Sequence, residues 1–143
     1  MKKQIILIIL NALLLCTYAQ NGTYTCNYQR FTDDNNPEKN KEHRNSMIIT
    51  INISQFGNGS VLISWPSEDG IYQWDILKKI DSQLIDRVYY SNYEARMNLE
   101  GIQSSISWNL VFIEDLDNNV FNIAITPAEG ATTNWYHYLK KIQ

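Results

Sequence analysis

Cysteine, histidine and long apolar runs are scarce in this chain, and each scarcity closes a route. The 143 residues hold two cysteines, Cys16 and Cys26, and two histidines, His43 and His137. Once an amino-terminal leader containing Cys16 is removed, Cys26 stands alone and no intramolecular disulfide is possible. Stability must then come from a packed core. Two histidines without partnering spacing do not make a zinc site. Basic residues are also few, with 12 Lys and Arg against 15 Asp and Glu. The basic pairs Lys78-Lys79 and Lys140-Lys141 are too short for the phosphate neutralisation that nucleic-acid binding needs. No glycine-rich phosphate loop and no Gly-x-Ser-x-Gly elbow occurs. The sequence therefore predicts no cofactor, no metal and no nucleic-acid partner.

The one apolar run is at the start. Lys2 and Lys3 form a basic segment, Ile5 to Leu15 are apolar except for Asn11, and Thr17-Tyr18-Ala19 places small residues at the −3 and −1 positions of a cleavage site. That order is a secretory signal over residues 1–19. The run is too short to span a bilayer, which takes about 20 apolar residues. The expected location is periplasmic or extracellular. A membrane tether would arise only from acylation of Cys16, and the bulky Leu15 before it argues against that. The Lys-Lys start, the Ile/Leu-rich centre and the cut before Gln20 resemble signals of Bacteroidota. The following Tyr24-Thr25-Cys26 and short alternating strands are similar to small secreted proteins of that group whose function is unassigned. The resemblance carries no functional residue across.

Taking 19 residues from 143 leaves 124, enough for one domain over residues 20–143. Removing Lys2 and Lys3 leaves ten basic against fifteen acidic residues, a net charge of −5.

The mature part reads as strands. Met47, Ile49, Ile51 and Ile53 alternate with polar residues, and Gly57-Asn58-Gly59 predicts a tight turn into Val61, Ile63 and Trp65. Tyr24, Cys26 and Tyr28 are expected on one face of a first strand, with Cys26 buried. Tyr72, Trp74 and Ile76 follow the turn-rich residues 66–70. Tyr93 to Leu99, Ile106 to Phe112, and Phe121 to Ile125 alternate as well. Asp115 to Asn119 read as a turn rather than a calcium loop, because no Gly follows Asn119 and Thr126 occupies the position of the last ligand. Trp135 to Ile142 close the chain. Residues 75–88 fit one amphipathic helix, or two strands joined at Asp81-Ser82-Gln83, and the strands are favoured. Residues 32–46 are polar throughout except for Pro37 and predict a long exposed loop. The fold class is mainly β, an antiparallel meander of about eight strands closing as a small barrel or sandwich. Lipocalin-like barrels are an architectural analogy.

Aromatic side chains are the richest chemistry present. Trp65, Trp74 and Trp108 sit on apolar strand faces and read as core. Trp135-Tyr136-His137-Tyr138 must point to both faces, so some of these rings reach the surface. That segment, extended by Tyr89, Tyr90 and Tyr93, is the expected ligand or partner surface. Cys26 and His137 meet only if the first and last strands pair, and a thiol hydrolase is the least favoured reading. The preferred function is a non-enzymatic binding module for a small apolar or glycan ligand. A protein-interaction module, an inhibitor or adaptor for a secreted or cell-surface partner, is the alternative.

Overall fold

The computed structural model describes residues 20–66 and 70–143. The signal at 1–19, with Cys16, and residues 67–69 of the turn before Gly70 lie outside them. The strands are β1 (Gly22–Cys26), β2 (Tyr28–Asp33), β3 (Lys41–His43), β4 (Met47–Ile53), β5 (Gly59–Ser64), β6 (Ile71–Ile85), β7 (Val88–Leu99), β8 (Ile102–Asp115), β9 (Val120–Pro127), β10 (Thr132–His137) and β11 (Lys140–Lys141). Among the described residues there is no α-helix, only a 3-10 turn at Pro37–Lys39.

The strands form one antiparallel sheet in the order β11-β1-β4-β5-β6-β7-β8-β9-β10-β2-β3. From β4 to β10 it is a meander, as the alternation predicts. The hydrogen-bond ladder is not closed, since β11 and β3 are its ends. The sheet is nonetheless rolled. Only Asn27 separates β1 from β2, yet β1 pairs β4 at one end of the meander while β2 pairs β10 at the other. One continuous piece of backbone thus draws the two ends together.

Side chains from β1 and from every strand of the meander fill the inside of the roll in one apolar cluster. Met47, Ile49, Ile51 and Ile53 are all buried on β4, matching their period of two. Phe112 is fully buried between Tyr93 and Phe121, with ring centroids 5.2 and 5.9 Å away. Trp74 is core, whereas Trp65 and Trp108 are half-buried against its edge. A polar group closes the far end: Gln20, fully buried, accepts from Tyr24 Oη at 2.9 Å through its backbone oxygen and reaches Ser91 Oγ at 3.4 Å through Nε2.

Four details correct the sequence reading. Residues 75–88 are neither a helix nor two strands joined at 81–83. They belong to the single strand β6, which continues to Ile85 and turns at Asp86-Arg87, both with positive φ (48° and 64°). Register shifts at Ile76/Lys78 and Lys79/Asp81 add residues to β6. Each extra residue offsets the apolar phase, and two of them turn a period of two into spacings of four. The turn after β4 spans Ser54 to Asn58, with the positive φ on Gly57 (82°) rather than on Asn58. The polar stretch 32–46 is exposed, but it is not all loop, because β3 pairs β2 through Gln29, Arg30 and Phe31. The closing strand is broken at Tyr138 and Leu139 into β10 and β11.

Replacing Phe112 by Ala should cost about 3–5 kcal/mol, the usual penalty for emptying a large buried aromatic position. Urea unfolding followed by tryptophan fluorescence measures it. A loss below about 1 kcal/mol would mean that the cluster is not close-packed.

Candidate functional site

The site grows out of the place where the chain's first and last strands meet. Tyr28 pairs His137, and three residues further on Thr25 pairs Lys140. Between these rungs both strands break, at Asn27 on one and at Tyr138 and Leu139 on the other. Tyr138 has φ 57°, a left-handed conformation that costs a non-glycine residue about 1 kcal/mol or more. It is held by its own N–H, which donates to Asn122 Oδ1 at 2.9 Å, and by the N–H of buried Leu139, which donates to the Phe121 carbonyl at 2.9 Å. On the inner side, Cys26 Sγ lies 3.3 Å from the carbonyl oxygens of both Tyr28 and His137, so its one S–H donates to either. Burial is the largest influence on that thiol and pushes its pKa up.

The break changes which side chains face out. An extra residue at Asn27 flips the phase, so Tyr28 leaves the face of Tyr24 and Cys26 and stands outside, contrary to the simple alternation. Its ring lies 5.3 Å from His137 and 6.3 Å from Tyr138, centroid to centroid. His137 lies 6.0 Å from Trp135 with the two rings parallel within 9°. Trp135 Nε1 donates to Thr32 Oγ1 at 3.2 Å. The result is an outward row of rings, Trp135, His137, Tyr28 and Tyr138, bordered by a cleft of about 580 Å³ lined by Asn27, Tyr28, Arg44, Ser46 and Tyr138. Burial first, and then the Arg30 guanidinium, hold His137 below the usual histidine pKa, with Glu42 acting the other way. Glu42 takes a hydrogen bond from the Tyr28 hydroxyl and is the main reason that phenol is raised.

Of the residues expected at a binding surface, the structure brings together Trp135, His137 and Tyr138. Tyr136 is not among them: it faces the core, 2% exposed, beside Cys26. Tyr93 is fully buried and Tyr89 nearly so. Tyr90 is half-buried on β7, three strands from β10 in the sheet order. These corrections share one cause: successive strand residues alternate faces, and β7 does not adjoin β10. Sequence reasoning missed Tyr28, Asn27 and Arg44, because nothing local marks the break at Asn27.

The thiol and the imidazole come close in sequence register but not in chemistry. Cys26 lies inside with Tyr136, and His137 stacks outside with Trp135, so the sheet stands between them. A base on the opposite face of a sheet cannot take the thiol proton.

A second cleft lies at the other end of the roll, lined by Tyr24, Glu114, Leu116, Phe121, Leu139, Lys140 and Lys141 among others. Burial raises the Glu114 carboxyl, while a hydrogen bond with Gln20 opposes the shift. Burial likewise pushes the Tyr24 and Tyr93 hydroxyls up to about 12. The neighbouring carboxylate, Asp115, is committed to its own turn, accepting from the N–H groups of Asp117 and Asn118 at 3.0 Å each. A lone carboxyl group does not supply the acid–base pair of a glycosidase. A third feature is at the opposite mouth. Trp74 and Trp108 pack edge to face at 6.2 Å, and neither buried indole N–H has an acceptor among the described residues.

Comparison with protein-family models, with curated proteins and with solved structures finds no match for this chain.

Two predictions follow from the buried groups. Because the folded pKa of Glu114 is raised, its ionisation opposes folding. Its contribution favours the fold below the carboxylate's ordinary pKa and is lost as pH rises through the raised value. Glu114→Gln should therefore stabilise the protein at pH 7 and not at pH 3.5, as thermal unfolding at the two pH values will show. Equal effects at both would contradict the assignment. Native Cys26 should also resist an aromatic disulfide reagent at pH 8 and react at once in urea. Prompt reaction of the folded protein would refute the burial.

Proposed function

We propose that this chain is an exported, non-catalytic binding module that takes a glycan on the ring row at the seam. The observation that carries the reading is the contiguous outward placement of Trp135, His137, Tyr28 and Tyr138, with Tyr138 held in a strained backbone conformation. Aromatic faces offer apolar area at low entropy cost, and the C–H faces of pyranose rings pack against such surfaces. The polar groups around them, Asn27, Arg44 and Ser46, supply the directional contacts that orient a sugar. An interior site of lipocalin type finds no support, because the inside of the roll is filled by large side chains such as Tyr93, Phe112 and Met47. The leader at residues 1–19 supports export, which puts the module where extracytoplasmic polysaccharide is available.

Replacing Tyr28 and Tyr138 together by Ala should weaken sugar binding at least tenfold, about 1.4 kcal/mol. Isothermal titration calorimetry against a panel of soluble oligosaccharides reads it, and unfolding in urea confirms that the fold is retained. Binding by the double variant as tight as by the parent chain overturns the site.

A second reading, a protein-interaction module, is favoured by the apolar rim at the opposite mouth. Ile71, Leu99, Ile102 and Ile106 are all exposed there, Ile102 by 77%. Exposed aliphatic groups of this size cluster at contact surfaces. Ile102→Ser separates the two readings, since it should leave sugar binding unchanged.

A further inference from the structure

We infer that the ligand of the ring row carries a carboxylate, as a uronic-acid sugar does, and that Arg44 reads it. This rests on the glycan reading above and narrows it. The cleft beside the rings is lined by a single cation, Arg44, opposite the two phenol rings of Tyr28 and Tyr138. Arg30 stands on the same outer face, paired across the ladder with Trp135 and close enough to disfavour the charged form of His137.

What makes these guanidinium groups available is the lack of an internal partner. Among the described residues the ion pairs are Lys78–Glu94 and Arg87–Asp117, both far from the seam. The one acid nearby is Glu42, and it accepts the hydrogen bond of the Tyr28 hydroxyl. Neither Arg30 nor Arg44 has a carboxylate within 4.0 Å. The mature chain carries a net charge of −5, so an anion would be repelled by the molecule as a whole. Two unpaired arginines beside exposed rings are a local exception to that field. A guanidinium presents a planar fork that matches a carboxylate with two parallel hydrogen bonds, while the adjoining rings take the apolar face of the same sugar. A neutral glycan would use the rings and leave the fork unmatched.

Titration calorimetry with oligogalacturonate and with the same oligomer after reduction of its carboxyl groups to alcohols isolates the charge. The acidic form should bind at least tenfold more tightly at low salt, with the advantage shrinking as sodium chloride is raised. Arg44→Gln should remove the difference and leave the reduced oligomer's affinity as it was. Arg30→Gln should reduce it by a smaller factor. Arg44 is exposed, so the fold should tolerate the change, which urea unfolding checks. Equal binding of the two oligomers overturns the carboxylate assignment and leaves the ring reading standing. A preference for the acid that survives Arg44→Gln overturns the role of Arg44. If neither these oligomers nor uronates of β-1,4 linkage bind, and the neutral oligosaccharide panel also fails, both readings fall together.

Discussion

The pairing of the first strand with the last is the constraint on which the rest of this structure depends. Residues more than a hundred positions apart, Tyr28 and His137, Thr25 and Lys140, meet as ladder partners. Without that pairing the meander from β4 to β10 would be an open sheet with one wet apolar face. With it, the sheet rolls and the apolar face becomes an interior. Loop-closure entropy opposes so distant a contact, although it grows only slowly with separation. The buried area gained by closing the roll is what outweighs it. The seam is also where the ladder is weakest, since both strands break there. Cys26 is suited to the inner side of the break. It is small, tolerates burial, and offers a weak donor to two carbonyl groups that the broken ladder leaves short of partners.

The same break creates the outer surface. A regular strand would carry Tyr28 inward with Tyr24 and Cys26, and a regular β10 would continue into β11 without Tyr138 turning outward. Each irregularity converts a residue from core to surface. Backbone strain of this kind persists only where surrounding contacts over-determine it. Here they do, through Asn122 below Tyr138 and through Phe121 below Leu139. The ring row is therefore presented by a rigid sheet, which keeps the entropy lost on binding low.

Legibility in the sequence followed regularity. Strand β4 was readable because its pattern runs unbroken from Met47 to Ile53, and β9 for the same reason over Phe121, Ile123 and Ile125. In β6 two register shifts disguised a strand as a possible helix. The turns at Asp86-Arg87 and Glu100-Gly101 use positive φ at both central residues, but only the second carries the glycine that announces it. The aromatic segment at 135–138 could be marked as two-sided from sequence. Which rings faced out could not, because that depends on the register between strands from opposite ends of the chain. Tyr28 escaped notice for a related reason: the extra residue at Asn27 has no local signature, and the break is visible only against its partner strand.

Cys26 and His137 show how a correct contact can still mislead about chemistry. The first and last strands do pair, so the two residues are as close in the ladder as a thiol–imidazole couple would require. Yet the thiol donates to the backbone carbonyl of His137, while the imidazole lies on the other face against Trp135. A sheet is one backbone thick, and that thickness separates a buried, hard-to-ionise thiol from a wet ring. The two side chains are thus divided between the two tasks of the seam. Cys26 faces the packed interior that holds the roll together, and His137 joins the outward row. A strand places neighbours in register on opposite sides as readily as on the same side, and at this seam the side decides that the pair is structural on one face and a binding surface on the other.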